Sequence, residues 1–552
     1  IISNKIREII MRGLMQEWPL LVHTFIDHAK IHHGEREIVT RKVEGDIHST
    51  TYSEIHSRSK KFAKALKELG VTKSDVIGTL AWNTHRHLET WYGITGLGAI
   101  YHTLNPRLFS EQLDYIINHA DNKFIISDIS FVEILENILD KIPNVQGFIF
   151  LCEKSDLPDT KLKNVYSYEE LINSQDDNFE WVKLEENDAC GLCYTSGTTG
   201  NPKGVLYSHR SNVLHTLVAN SADAMGIKST DVVMPVVPMF HANAWGLSFS
   251  APMSGCKVVM PGMNMDGESI YELLNDHKVT FTAAVPTVWL MLLQYLEAND
   301  LKLPYLERVA IGGSAVPRVM LEKFEKNYDV SVMHAWGMTE MSPLGTIGAF
   351  KSGMEELSFD EQMDIKLKQG RASYMVEMKI TDDDGNDLPW NGKDFGHLLV
   401  RGPFIASKYM KGDGGQILDN QGFFDTGDVA TIDELGFMQI TDRSKDVIKS
   451  GGEWISSIEL ENIAVGHPDI AEAAVIGIFH PKWDERPLLI CVPAEGKDPN
   501  KDNVLEYLED KLAKWWMPDD VVFVDEIPHT ATGKIQKLTL REQFADYELP
   551  TA

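Results

Sequence analysis

Residues 194–204 read Tyr-Thr-Ser-Gly-Thr-Thr-Gly-Asn-Pro-Lys-Gly: two glycines and four Ser/Thr residues precede a lysine, and a third glycine follows it. A loop of this composition turns several backbone N–H groups inward and adds Ser and Thr hydroxyls as donors, which builds a concave nest for a polyanion. Lys203 brings a mobile positive charge, and Pro202 stops a helix from running through the stretch. The run departs from the Gly-Lys-[Ser/Thr] ending of a Walker A loop, because Pro202 and Gly204 flank the lysine. Gly/Ser/Thr-rich loops are usually solvated linkers. This one stands between two apolar, strand-like runs, Cys190–Tyr194 and Val205–Tyr207. It is therefore a positioned loop, and phosphate binding is the expected chemistry.

Five further runs carry reactive residue types. His334-Ala-Trp-Gly-Met-Thr-Glu340 follows a strand-like run, Val330–Met333, and taken alone reads equally well as a helix cap with a buried Trp. Asp425-Thr-Gly-Asp428, with Asp442-Arg443 downstream, is by itself a turn signature. Pro238-Met-Phe-His-Ala-Asn-Ala-Trp245 sets a histidine among large apolar residues, more often a core residue than a ligand. Residues 443–454 form a basic hairpin, and Thr530-Ala-Thr-Gly-Lys-Ile-Gln-Lys537 puts Lys534 on a glycine-flexed loop.

Together these runs closely resemble, in type and in order over roughly residues 40–540, the fingerprints of the adenylate-forming superfamily. That superfamily includes acyl-CoA synthetases, luciferases and peptide-synthetase adenylation domains, and the resemblance is closest to the fatty-acyl-CoA synthetase branch. It implies that Thr195, Ser196, Gly197, Thr198, Thr199, Gly200 and Lys203 cradle the phosphates of ATP. Trp336 would stack on adenine, Thr339 would contact the α-phosphate, and Glu340 would ligate Mg²⁺ together with Thr195. Mg²⁺ takes oxygen ligands and keeps some waters, so this pair with phosphate oxygens is a sufficient shell. Gly313, Ser314, His334, Ala335, Gly337, Met338 and Ile440 complete the implied nucleotide site. The family usually has Tyr where Trp336 stands, so stacking is expected to survive and a phenol hydrogen bond to be lost.

By the same resemblance Asp428 accepts from both ribose hydroxyls, and Arg443 reaches the sugar or the α-phosphate. His241 would floor the acyl pocket, Trp245 would gate its mouth, and Gly312 and Gly313 would form another wall. Residues 241–245 contain no Asp to receive an ammonium group, which favours an uncharged aliphatic tail. Lys445 would be the hinge, with Lys449, Ser450, Gly451, Gly452 and Trp454 bordering the path of the CoA arm. Lys534, rather than Lys537, fits the catalytic turn and would act as a cation.

The implied reaction is a two-step ligation of a carboxylic acid to CoA, through an acyl-adenylate, with release of pyrophosphate and AMP. Medium- or long-chain fatty acids are the expected substrates, and short or thioether acids such as 3-methylthiopropionate the alternative. No residue stands out as general base for the thiol. A luciferase-like oxygenase would share every motif. A carrier-loading enzyme would use a pantetheinyl protein, but the chain lacks a Gly-x-Asp-Ser landmark for an appended carrier, which favours free CoA. A non-enzymatic nucleotide sensor would have no use for a catalytic lysine.

The elements that must position these groups alternate. Short apolar runs at Val76–Leu80, Lys123–Ser127, Val232–Met234, Lys257–Met260, Phe281–Ala284 and Arg308–Ile311 are separated by helical stretches such as 89–99 and 111–120. Leu20, Leu21, Phe25 and Ile26 give an earlier helical face, and residues 57–69 another. Strand–helix alternation predicts an α/β fold with parallel sheets covered on both faces. From about residue 375 short strands and tight turns predict a β-rich subdomain, and beyond 443 a further unit carries helices at 457–465 and 502–514. The expected organisation is a large domain over 1–442, a hinge at 443–446 and a mobile α+β lid over 447–552.

With 552 residues the chain exceeds a single core, and a formal charge of −29 argues against nucleic-acid or anionic-membrane partners. Five scattered cysteines make no disulfide framework and suggest a reducing, cytoplasmic setting. Cys190-x-x-Cys193, with His209 and His215, falls loosely within zinc spacing, but core thiols are the better reading. No apolar run approaches the roughly 20 residues of a membrane helix. A homodimer is plausible from related synthetases, and residues 1–10 read as an upstream extension of a start at Met11 or Met15.

Overall fold

A computed structural model describes residues 13–195, 201–451, 453–509, 511–530 and 534–552. Two large sheets dominate. In the first, nine strands include the consecutive parallel neighbours Ser331–Gly337, Arg308–Ile311, Phe281–Ala284, Val232–Pro235, Lys257–Met260 and Glu37–Arg41. The second has seven strands, six of them parallel, closed at one edge by the antiparallel pair Ala189–Tyr194 and Gly204–Ser208. These are the α/β sheets that the alternation predicts.

The helix His85–Leu97 is buried along its whole length, and one apolar cluster draws residues from both sheets and from this helix. Glu89 can occupy that helix because the Arg58 guanidinium and the Tyr168 hydroxyl reach its carboxylate at 2.8 and 2.7 Å. Four antiparallel strands follow: Glu377–Thr381, Gly396–Arg401, Phe424–Ile432 and Met438–Arg443. A separate five-stranded sheet, with the helices Ser457–Ala464, Lys501–Glu509 and Lys537–Gln543, forms the C-terminal part with its own apolar clusters.

Several element bounds differ from those the sequence suggests. The strand expected to stop at Met333 runs on to Gly337, so His334–Gly337 lie within a strand and not after it. The expected helix at residue 57 begins at Tyr52, because Thr51 and Glu54 form a capping box. Leu20 and Leu21 precede the first helix, Thr24–His33, and the helix expected to reach 514 is described as Lys501–Glu509. Cys190 and Cys193 are buried, facing Asn212 and Thr103 respectively, and burial pushes both thiols up, to about 12 and about 11.

Candidate active site

Ligands of open α/β sheets gather at the carboxyl ends of parallel strands, and both large sheets turn those ends toward one cavity of about 1730 Å³. Thr195 enters it from the end of Ala189–Tyr194, Gly312 and Gly313 from the end of Arg308–Ile311, and Trp336 to Glu340 from the end of Ser331–Gly337. Asp428, Ile440 and Arg443 reach it from the antiparallel sheet, and Lys445 and Lys534 from beyond that sheet.

Ser196, Gly197, Thr198, Thr199 and Gly200 lie outside the described residues. The ends of their loop are closed: Thr195 N–H donates to Lys203 O at 2.9 Å, and Lys203 N–H reaches Thr195 Oγ1 at 3.4 Å. The flanking strands pair Tyr194 opposite Gly204 at the sheet edge, which brings Thr195 and Lys203 together.

Asp428 and Arg443 stand opposite each other on adjacent antiparallel strands, the register that lets a cross-strand ion pair form. Arg443 Nε lies 2.9 Å from Asp428 Oδ1, and Trp336 Nε1–H donates to Asp428 Oδ2 at 3.0 Å. The indole thus recovers a hydrogen bond at the position where Tyr was expected to be missed, and it ties the aromatic ring to the carboxylate. Burial raises Asp428 above the usual carboxylate range, opposed by the charges of Arg443 and Lys534.

Glu340 is buried, and its Oε1 accepts from the Tyr409 hydroxyl at 2.7 Å. Its backbone carbonyl accepts from Ala406 N–H at 2.7 Å, while the preceding carbonyl, of Thr339, accepts from Tyr207 Oη at 2.7 Å. With Thr195 lining the same cavity, the donor set for Mg²⁺ consists of hard oxygens, which fits the ion. Met338 N–H donates to Pro343 O at 3.0 Å, which fixes the turn that carries Thr339.

His241, Trp245 and Gly312 meet on another wall. Ala242, Asn243, Ala244 and Trp245 all take positive φ, between 44° and 60°, a strained run for non-glycine residues. Asn243 holds it from below, accepting from Tyr101 Oη at 3.1 Å. The turn lays the Trp245 ring over Gly312, where an added Cβ would stand 3.5 Å from the ring and 2.7 Å from Ala335 O. Burial, with the Lys534 and Arg107 cations, pushes His241 down to about 4, so its imidazole is neutral at pH 7.

The Lys534 ammonium feels Arg443, Asp428 and Glu340, and His241 feels Lys534 in turn. One lysine from the C-terminal part therefore acts on the same cavity as the carboxylates of the large sheets. Its turn is closed by Lys534 N–H to Thr530 Oγ1, 3.1 Å, and Thr530 N–H to Lys534 O, 2.7 Å. Burial and the neighbouring Arg443 lower Lys534 to about 8, against the pull of Asp428 and Glu340.

Other expected residues stand apart from this cavity. His334 is buried one residue before it, with Nδ1 3.2 Å from Lys366 O, and burial lowers it to about 4. Lys449, Ser450 and Gly451 do not line the cavity: Lys449 N–H goes to Glu485, Ser450 Oγ lies 3.3 Å from Arg486, and Gly451 N–H donates to Trp483 O at 2.8 Å. Trp454 belongs to the short strand Glu453–Ile455, and Gly452 lies outside the described residues. Sequence reasoning missed Tyr409 and Asn243 as supports. Tyr409 sits 69 positions from Glu340 with no motif around it, and Asn243, of a type that adopts positive φ readily, is flanked by Ala242, Ala244 and Trp245, which do not.

The charge of Lys534 gives a pH dependence. The protonated form dominates below about 8 and is lost above it. For the adenylation step that the sequence resemblance implies, kcat/KM, which reports groups of the free enzyme, is expected to fall roughly tenfold per pH unit above that value. Initial rates of pyrophosphate release between pH 6 and 10 check this.

Residues 26–410 match the AMP-binding enzyme family, and residues 459–534 its C-terminal domain. The chain is 49% identical over 536 residues to a 3-methylmercaptopropionyl-CoA ligase of Ruegeria lacuscaerulensis, covering 97% of this chain and 99% of that one. It is 45% identical to a medium-chain-fatty-acid–CoA ligase of Ectopseudomonas oleovorans, covering 97% and 98%. The crystal structure of the anthranilate CoA ligase AuaEII with anthranoyl-AMP superposes with a TM-score of 0.85 at 23% identity, covering 97% of this chain and all of that one. The chain belongs to the AMP-binding enzyme family, the adenylate-forming superfamily, among its acyl-CoA ligases.

Proposed function

We propose that this enzyme is an AMP-forming acid–thiol ligase that activates an aliphatic carboxylic acid as its acyl-adenylate and passes the acyl group to CoA. The observation that carries the reading is the meeting of Lys534 with Asp428, Arg443 and Glu340 in one cavity that also holds Thr195.

In the first step the substrate carboxylate attacks the α-phosphorus of ATP in line, the bond to the bridging oxygen breaks, and pyrophosphate leaves. The 195–203 loop and Lys203 hold the phosphates, Asp428 and Arg443 hold the ribose, and Trp336 packs against the base. Lys534 neutralises charge developing on the α-phosphate. Thr195 and Glu340 would hold Mg²⁺, which supplies charge neutralisation on the phosphates when bound. In the second step rotation about Lys445 withdraws Lys534 and brings the 449–454 segment to the cavity. The CoA thiolate then attacks the acyl carbonyl, and AMP leaves.

The acyl wall of His241, Trp245 and Gly312 supports an uncharged tail, since His241 is neutral at pH 7. A medium- or long-chain fatty acid fits such a wall. A short thioether acid, 3-methylthiopropionate, is the second reading, favoured by the 49% identity to the Ruegeria ligase. Pyrophosphate release measured across straight-chain acids of about two to about eighteen carbons, with 3-methylthiopropionate alongside, separates the two readings. One added methylene changes kcat/KM by about 10–200-fold where the pocket ends. Release with none of these acids would overturn the reading.

A further inference from the structure

Tyr409 touches the nucleotide machinery at two points that lie far apart in sequence. Its hydroxyl donates to Glu340 Oε1 at 2.7 Å, and the Lys203 ammonium lies over its ring, 5.1 Å from the centroid. The surrounding loop reinforces both contacts. Ala406 N–H holds the Glu340 carbonyl at 2.7 Å, Ser342 Oγ–H donates to Phe404 O at 2.9 Å, and a Cβ built on Gly414 would stand 3.2 Å from Lys203 Nζ.

A buried tyrosine needs a partner for its hydroxyl, and packing alone would be served by any carbonyl. Tyr52, Tyr92 and Tyr207 end in that way, on the carbonyls of Cys256, Ser248 and Thr339, while Tyr168 ends on the Glu89 carboxylate away from the cavity. Tyr409 ends on a carboxylate in the cavity and carries a lysine of the phosphate loop on its face. The geometry assigns Tyr409 as a positioning residue that fixes the Glu340 carboxylate for Mg²⁺ and the Lys203 ammonium for the phosphates, so that metal site and phosphate cradle form as one unit. This inference rests on the proposed nucleotide site. A carboxylate anchored by a hydroxyl donor loses rotational freedom, and a cation attracted to an aromatic face is restrained in position.

The test separates the two contacts. Tyr409→Phe keeps the ring and removes the hydroxyl, while Tyr409→Leu removes both. Equilibrium binding of an α,β-methylene ATP analogue is measured by calorimetry, with Mg²⁺ titrated and with EDTA. For Tyr409→Phe the Mg²⁺ concentration at half-saturation is expected to rise at least about tenfold, with little change in EDTA. Tyr409→Leu adds a loss of about two- to fivefold in EDTA. In both variants thioester formation from supplied acyl-adenylate, which carries no β- or γ-phosphate, is expected to fall less than adenylation. A parent-like Mg²⁺ midpoint in Tyr409→Phe, measured on a parent enzyme that binds the analogue, overturns the assignment alone. An equal fall of both half-reactions reduces Tyr409 to a structural residue and also overturns it. Failure of the parent to bind the analogue at all would overturn the nucleotide site itself, and this inference with it.

Discussion

Replacing Lys534 by alanine is expected to slow acyl-adenylate formation by about 10²–10³-fold, the cost of removing one preorganised charge aimed at a developing oxyanion. Thioester formation from chemically supplied acyl-adenylate should persist, because the proposed mechanism withdraws the lysine before the second step. The asymmetry follows from where the side chain sits. Lys534 shares the cavity with Asp428, Arg443 and Glu340 and feels their charges, and its backbone is held by the turn to Thr530 and by Gln536 N–H donating to Pro528 O at 2.8 Å. Pyrophosphate exchange reads the first half-reaction and CoA-dependent adenylate consumption the second. Equal loss in both would show that Lys534 supports the fold or the closed arrangement and not the chemistry of phosphoryl attack.

The opposite asymmetry is expected from Lys445→Pro. Proline fixes φ near −65° and restricts the residue before it, so a hinge residue can no longer absorb a change in backbone torsion. Lys445 is the third residue of a turn in which Asp446 and Val447 N–H donate to Arg443 O at 2.8 and 3.0 Å, and proline there crowds Ser444, so the adenylating arrangement also bears a cost. Flanking contacts also stand: Ser457 N–H to Asp442 at 3.0 Å and Arg541 to Asp446 at 2.7 Å. Adenylation is expected to fall, but by less than thioester formation, which drops by about 10²-fold or more, since the thiol path is misplaced without rotation. The same two assays check it, and loss of adenylation with thioester formation intact would remove the hinge from Lys445.

The parts of this architecture that follow from local chemistry were legible in the sequence. Lys257–Met260, Phe281–Ala284 and Arg308–Ile311 are short β-branched or small apolar runs bounded by breakers, and alternation with helices makes their sheet parallel. The strands on either side of the 195–203 loop were legible too, because glycine, hydroxyl and proline residues are concentrated between two apolar runs.

What escaped is set by distance and by strain. The bond from Trp336 to Asp428 spans 92 positions, and that from Tyr409 to Glu340 spans 69. Pairings of that kind are fixed by tertiary register and leave no local pattern. The left-handed run Ala242–Trp245 is likewise invisible, because three of its four residues are not ones that favour positive φ and its support comes from Tyr101. The strand end at Gly337 was misjudged because Ala335 and Trp336 continue pairing, with Ile347 and Thr346, after the β-branched run has stopped.

The central claim is that the 195–203 loop and Lys534 act on one triphosphate. A structure determined with an unreactive ATP analogue and Mg²⁺ tests it most directly. The account predicts the β- and γ-phosphates against the loop, the ribose on Asp428 and the Lys534 ammonium within hydrogen-bonding distance of the α-phosphate. Nucleotide bound elsewhere in the cavity, or Lys534 turned away from an occupied loop, would contradict it.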